Sequence, residues 1–173
     1  SLRDIGFTET PQPRFYSAKE VVLPFLKFAD VLPVLGPEMR STGESMGIDP
    51  DPYLAYGKAL AGANLHLPSS GRVRCIGLAD DDPVIEGLVE LGFEVVMGEG
   101  ADASEIAADA LLIDVAHTRS LRLALEEGVP FLSTREAAAW SLEALRRGHA
   151  RTAPSVHALQ DLHGVTTPVA TPA

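Results

Sequence analysis

Cysteine is almost absent. Cys75 stands alone, which rules out a disulfide framework and a cysteine metal cluster. Its neighbours Val73 and Ile76 place it in a buried strand, and a lone thiol fits a reducing, cytosolic setting. Aromatics are scarce at 6% of residues, with Trp140 the single tryptophan, and no lysine follows Lys58. No apolar run is long enough to cross a bilayer, and the opening SLRDIGFTET lacks the basic-then-apolar pattern of a signal segment. Positive charge is also in deficit: 14 Lys and Arg against 24 Asp and Glu leave a net charge of −10. A polyanion demands the opposite sign, so nucleic acid is disfavoured as a partner and the acid excess reads as solubility. Membrane association has no sequence support either.

What is present is an apolar content ordinary for a globular protein, at a length, 173 residues, that allows one domain plus an appendage. A start at Ser1 rather than Met fits a cut or processed fragment. Residues 1–48 read as the appendage. Pro11 and Pro13 break the first stretch, and Val21 to Phe25 form an apolar strand stopped around Pro24. A glycine-punctuated segment then carries Glu38, Arg40 and Glu44 beside Met39 and Met46. Two short apolar patches of this kind cannot bury themselves alone, so a partner is expected for the strand near Val21.

The remainder has a regular pattern. Asp51-Pro52 caps and opens a helix reaching about Asn64, with Tyr53, Tyr56 and Leu60 on one face. Residues 66–71 are a linker by composition. Beyond it, strands are expected over 73–78, 93–97, 111–115 and 129–132. Helices are expected after Asp82-Pro83, over 102–108 with Asp102 and Glu105 as a capping box, over 118–127 closed by Gly128, and from a Ser133/Glu136 capping box to about Gly148. A short element over 156–162 and a disordered tail from Val165 complete the expectation. Short strands alternating with helices imply right-handed βαβ units. The fold class is therefore α/β, a small open parallel sheet with helices on both faces, of four strands or five.

The runs KEVVLPFLKF (19–28) and LGPEMRSTGESMG (35–47) resemble the end of the second ATP-grasp half of the large subunit of carbamoyl phosphate synthetase. In that family a helix follows, then a methylglyoxal-synthase-like allosteric domain, which is the order found here. The resemblance implies four parts: an ATP-grasp C-terminal remnant (1–48), a helix and linker (49–71), a reduced methylglyoxal-synthase-like regulatory domain (72–164) and a tail (165–173). It implies that Lys19 and Glu44 border the tunnel carrying carbamate between two ATP sites. On chemistry alone Lys19 is a strand-edge charge, and Glu44 a helix start or surface salt bridge. The family's ATP, magnesium and bicarbonate residues lie upstream, so no catalytic residue, metal or cofactor is expected in this stretch, although the parent uses ATP and Mg2+.

Open parallel sheets bind ligands beyond the carboxyl ends of their strands. Methylglyoxal-synthase-like domains bind phosphate groups there through a Thr-x-Gly-Thr-type turn, a lysine and Asn-Thr-Thr-type residues. This sequence departs from that pattern: Gly98-Glu99-Gly100-Ala101 has no hydroxyls, Asp114-Val115-Ala116 replaces the amide-and-hydroxyl run, and the lysine is missing. Between Gly100 and Leu111 about one βα unit is lacking, since such a unit needs on the order of 30 residues. Binding of a uridine or inosine nucleotide through the usual residues is therefore disfavoured. The remaining anion donors are Thr118, Arg119, Ser133, Thr134 and Arg135. The plainer reading makes Ser133 a helix cap and the arginines solvated.

Asp80, Asp81 and Asp82 lack calcium-loop spacing, and the histidines lack ligand spacing. The first reading is thus a non-catalytic regulatory or oligomerisation portion of the large subunit. Its partners would be the upstream ATP-grasp domains and the glutaminase small subunit, with a homo-oligomer through the alanine-rich helix around Trp140 left open. The second reading is a module still binding an effector such as ornithine or a nucleotide. A free-standing synthase comes last, because its aspartates and phosphate pocket are not reproduced.

Overall fold

The computed structural model describes residues 3–6, 8–9, 14–28, 31–34, 42–149, 156, 158, 160 and 162. Strand β1 (Tyr16–Val22) pairs antiparallel with β2 (Gly43–Asp49), in register from Tyr16 opposite Asp49 to Val22 opposite Gly43. Helix α1 (Pro52–Gly62) follows directly and packs on both strands. Asp51 starts it by accepting from the Tyr53 and Leu54 N–H groups, with Pro52 at the first position, as the sequence indicated. Close approach demands small residues at the contact. A Cβ at Gly47 would collide with Ala55 O and stand 2.6 Å from Ala59 N, and one at Gly62 would strike Ser45 Oγ. Side chains alternate along a strand, so Ser45, Gly47 and Asp49, with their partners Glu20, Ala18 and Tyr16, share the face toward α1. The buried Asp49 carboxylate pairs with Lys58 at 2.9 Å and accepts from Asp51 N, also at 2.9 Å, tying the strand end to the helix.

The strand expected over 21–25 is therefore displaced. It runs Tyr16–Val22, and Phe25 lies instead in a 3-10 turn, Phe25–Lys27, buried at 5% exposure. A polar run such as Tyr-Ser-Ala-Lys-Glu makes a strand here because it pairs along its whole length with β2, whose Gly47 admits the close approach of α1.

The second sheet has four parallel strands: β3 (Arg72–Ile76), β4 (Glu94–Gly98), β5 (Leu111–Asp114) and β6 (Phe131–Leu132), in the order β4-β3-β5-β6. Between them run α2 (Pro83–Glu90), α3 (Ala103–Ala107) and α4 (Ser120–Glu127), and α5 (Arg135–His149) follows. One face buries Val73, Cys75, Leu111 and Ile113 against Val84 and Leu88 of α2 and Leu142 and Leu145 of α5. The other buries Ile76 and Leu112 against Ile106 of α3 and Leu121 and Ala124 of α4. Both faces are thus covered, which is why the strands read as continuous apolar runs. Asp82 caps α2, Asp102 and Glu105 form the capping box of α3, and Gly128 closes α4 at φ 71°.

Several boundaries differ from expectation: β3 ends at Ile76 rather than 78, α4 begins at Ser120 rather than 118, and two further shifts have a visible cause. Val129 closes the end of α4, its N–H donating to Ala124 O at 2.8 Å, so β6 is only two residues long. The cap of α5 is Thr134, whose hydroxyl accepts from Ala137 N at 3.1 Å, rather than Ser133. The element expected at 156–162 falls mostly, and the tail from 165 wholly, outside the described residues, as do Glu38, Met39 and Arg40.

The crossover from β4 to β5 is pinned by charge. Arg72 and Arg74, two apart on β3, both pair with the buried Asp109; the Arg74 Nε contact is 2.7 Å. Arg72 also donates to Glu105 O at 2.8 Å, so α3 and the turn after it are held over β3. The two sheets meet through α1 and α5. Gly57 faces Ala144, and Trp140 lies 4.8 Å from Tyr53 and 5.9 Å from Tyr56 between ring centroids. Arg147 sits 4.6 Å over the Tyr53 ring and pairs with Asp51 at 3.1 Å. Trp140 remains 43% exposed within this joint. Burial raises the Tyr56 phenol above its usual range, with Glu20 adding to the effect and the Ser141 hydroxyl opposing it.

Candidate functional site

The strand order reverses at β3: the chain passes to β4 on one side, then returns to β5 on the other. The edge beyond the carboxyl ends of β3 and β5 is therefore where an α/β sheet of this kind places a ligand. β3 is followed by Gly77 at φ 82°, and a Cβ there would lie 2.9 Å from Ala116 N, so backbone alone fits. β5 ends in Asp114, whose side chain is fully buried. Its carboxylate accepts from Ala116 N at 3.1 Å, Thr118 N at 2.9 Å and Thr118 Oγ1 at 2.6 Å. Between those two amides His117 holds a left-handed φ of 54°, and its Nε2–H donates to Ser133 O at 2.9 Å, bridging the loops after β5 and β6.

The donors expected at this edge are drawn together, and most are committed within the protein. Thr118 gives its hydroxyl proton to Asp114 and accepts from Ser120 N at 3.1 Å. Ser120 in turn accepts from Ala101 N, fastening the loop after β4 to α4. Thr134 caps α5, and Ser133 contributes its carbonyl. Arg135 forks onto Asp82 at 2.6 and 3.2 Å. Burial pushes the Asp82 carboxyl up, but the Arg135 hydrogen bond, the Val84 N–H and the Arg135 charge together hold it below the usual carboxylate range.

Arg119 lies apart from this group. It opens α4, is exposed, and borders a cleft of about 240 Å³ with Val31, Leu32, Arg122 and Glu126. Arg122, which sequence reasoning passed over, donates to Phe28 O at 2.8 Å and pairs with Glu126 at 2.6 Å, tying the 3-10 turn to α4. Lys19 and Glu44 are on the face of the two-stranded sheet turned away from α1, joined as an exposed ion pair. Among the described residues, no group of three or more His, Cys, Asp or Glu is placed to hold a metal ion, and no helix is long and apolar enough to cross a membrane.

Sequence reasoning also passed over the Arg72/Arg74/Asp109 cluster and the Asp49–Lys58 pair. The readable signal was a charge at alternate positions of a strand, Arg72 and Arg74, otherwise filled by Val73, Cys75 and Ile76.

Comparison with known proteins bears on the whole of this arrangement. No family model matches the chain. It is 49% identical over 165 residues to the carbamoyl phosphate synthase large chain of Thermus thermophilus, covering 94% of this chain and 15% of that one. The chain is a homologue of carbamoyl phosphate synthase large chains. The Deinococcus radiodurans large chain is also 49% identical, over 162 residues, covering 93% of this chain and 15% of its own. That of Pseudomonas putida is 46% identical over 104 residues, covering 58% and 10%. The chain thus spans about 15% of the length of the first two relatives. The homology runs through both sheets, since 94% of 173 residues cannot be matched without including each.

Proposed function

We propose that the chain is a non-catalytic portion, regulatory or oligomerising, from the C-terminal region of a carbamoyl phosphate synthase large chain. The observation that carries this reading is 49% identity along nearly the full chain combined with coverage of only 15% of the relative. The parent would be an ATP- and Mg2+-dependent ligase making carbamoyl phosphate from bicarbonate, glutamine-derived ammonia and two ATP, for arginine and pyrimidine synthesis in the cytoplasm. Residues 1–48 would belong to its second ATP-grasp half, with Lys19 and Glu44 near the carbamate route. Residues 72–164 would be a reduced methylglyoxal-synthase-like domain, a reading supported by the parallel sheet with helices on both faces. Its partners would be the ATP-grasp domains of the same chain and the glutaminase subunit. Incubated with ATP, bicarbonate and ammonium, the chain alone should release no ADP; sustained release would overturn the non-catalytic reading.

A surviving effector site is the second reading, favoured by Arg119 standing beside a cleft with no ion pair among the described residues. Ornithine or a nucleotide bound there should stabilise the fold, by about 2.7 kcal/mol at a hundredfold excess over Kd. A flat thermal response to both removes this reading.

A further inference from the structure

Three observations converge on Asp114. It ends β5 at the edge where the strand order reverses, the position at which open α/β sheets take up a ligand. Its carboxylate is wholly buried and wrapped by three donors, the Ala116 and Thr118 amides and the Thr118 hydroxyl. Those amides flank a left-handed residue, His117, which makes them a concave pair of N–H groups of the kind that holds anions in other proteins. We propose that this edge is self-liganded: the Asp114 carboxylate takes the place of a ligand's phosphate or carboxylate and closes the edge to it.

The surroundings fit a closed site. Arg135, the arginine that opens α5 at this edge, is spent on Asp82. His117 bridges to Ser133 O across the mouth, and Gly77 leaves no space for a side chain between β3 and the loop after β5. A free phosphate would have to displace a covalently tethered carboxylate from its own donors and would face that carboxylate's charge. The proposal does not depend on the parent protein assigned above. What it requires is that the Ala116 and Thr118 donors, once freed of Asp114, accept a free anion in its place.

The test uses the full chain and its Asp114→Ala variant, each titrated with sodium acetate and sodium phosphate against sodium chloride at matched ionic strength. Melting temperature and the amide resonances of Ala116 and Thr118 are followed. In the unaltered chain neither amide should respond saturably to phosphate. The variant should melt lower, and acetate or phosphate, unlike chloride, should raise its melting temperature saturably while moving both amides. Saturable phosphate binding at these amides in the unaltered chain overturns the proposal, as does a variant that no anion restores beyond the chloride control. If the variant does not fold in plain buffer, refolding from urea decides: recovery in acetate or phosphate but not chloride supports the proposal, and failure in all three overturns it.

Discussion

Replacing Asp109 by alanine should cost more stability than any other single change at the β4–β5 crossover. The Asp109 side chain is fully buried and the Arg74 side chain is 6% exposed. Without the carboxylate, the remaining ion-pair partner of Arg74 is Glu105, whose Oε1 at 3.8 Å is too far for a direct hydrogen bond. A buried guanidinium left in that state costs about 3–5 kcal/mol. Arg72 is closer to water and can rehydrate, so its loss adds little. Against a total of roughly 5–15 kcal/mol for a domain, the folded-to-unfolded ratio drops by about a thousandfold. Urea unfolding followed by Trp140 fluorescence and circular dichroism should show the midpoint falling by about 2 M at unchanged slope. Substituting Arg74→Met together with Asp109→Leu should recover most of the loss, because exchanging both partners for apolar side chains removes the stranded charge. A loss below about 1 kcal/mol for Asp109→Ala, or no recovery in the double variant, refutes the claim that this pair pins the crossover.

Three further outcomes follow from the same structure. Asp82 has a depressed folded pKa, so its pairing with Arg135 stabilises the fold above the unfolded carboxyl value, about 4, and is lost as pH falls through the lower folded value; Asp82→Asn should flatten the acid limb of a stability–pH curve. Burial, with the Asp82 charge adding to it, pushes the Cys75 thiol up to about 12. Stability should therefore decline as pH rises above the unfolded thiol value of about 8.5, and at pH 8 a thiol reagent should modify Cys75 only as fast as the domain opens. Thr134→Ala should cost about 1 kcal/mol by uncapping α5, whereas Ser133→Ala should cost little because only its carbonyl is engaged; equal losses in urea unfolding would count against Thr134 as the cap.

The parallel sheet was largely legible from residues near one another in the chain. Asp51-Pro52, Asp82-Pro83 and Asp102/Glu105 mark helix starts by local hydrogen bonds, and Leu111 to Ile113 is apolar because both faces of its sheet are covered. The two-stranded sheet was harder to read. β2 is Gly-Glu-Ser-Met-Gly-Ile-Asp, chosen for the clearance that α1 requires, and neither propensity nor alternation reports a clearance set by another element. The carboxyl edge was legible as a list of donors and opaque as a site. Whether Arg135 is available to a ligand depends on Asp82, 53 positions away, and whether Ser133 or Thr134 caps a helix turns on a single residue of register. Asp114 could be seen as a departure from a phosphate-binding pattern, but its three donors appear only when the loop is folded back over it.

The most direct test of the proposed parentage is a chimera in which this chain replaces the homologous 165-residue stretch of the Thermus thermophilus large chain. Glutamine-dependent carbamoyl phosphate synthesis is then measured with the glutaminase subunit present. The proposal predicts that the purified, folded chimera still makes carbamoyl phosphate. A chimera that folds and assembles yet makes none would contradict it.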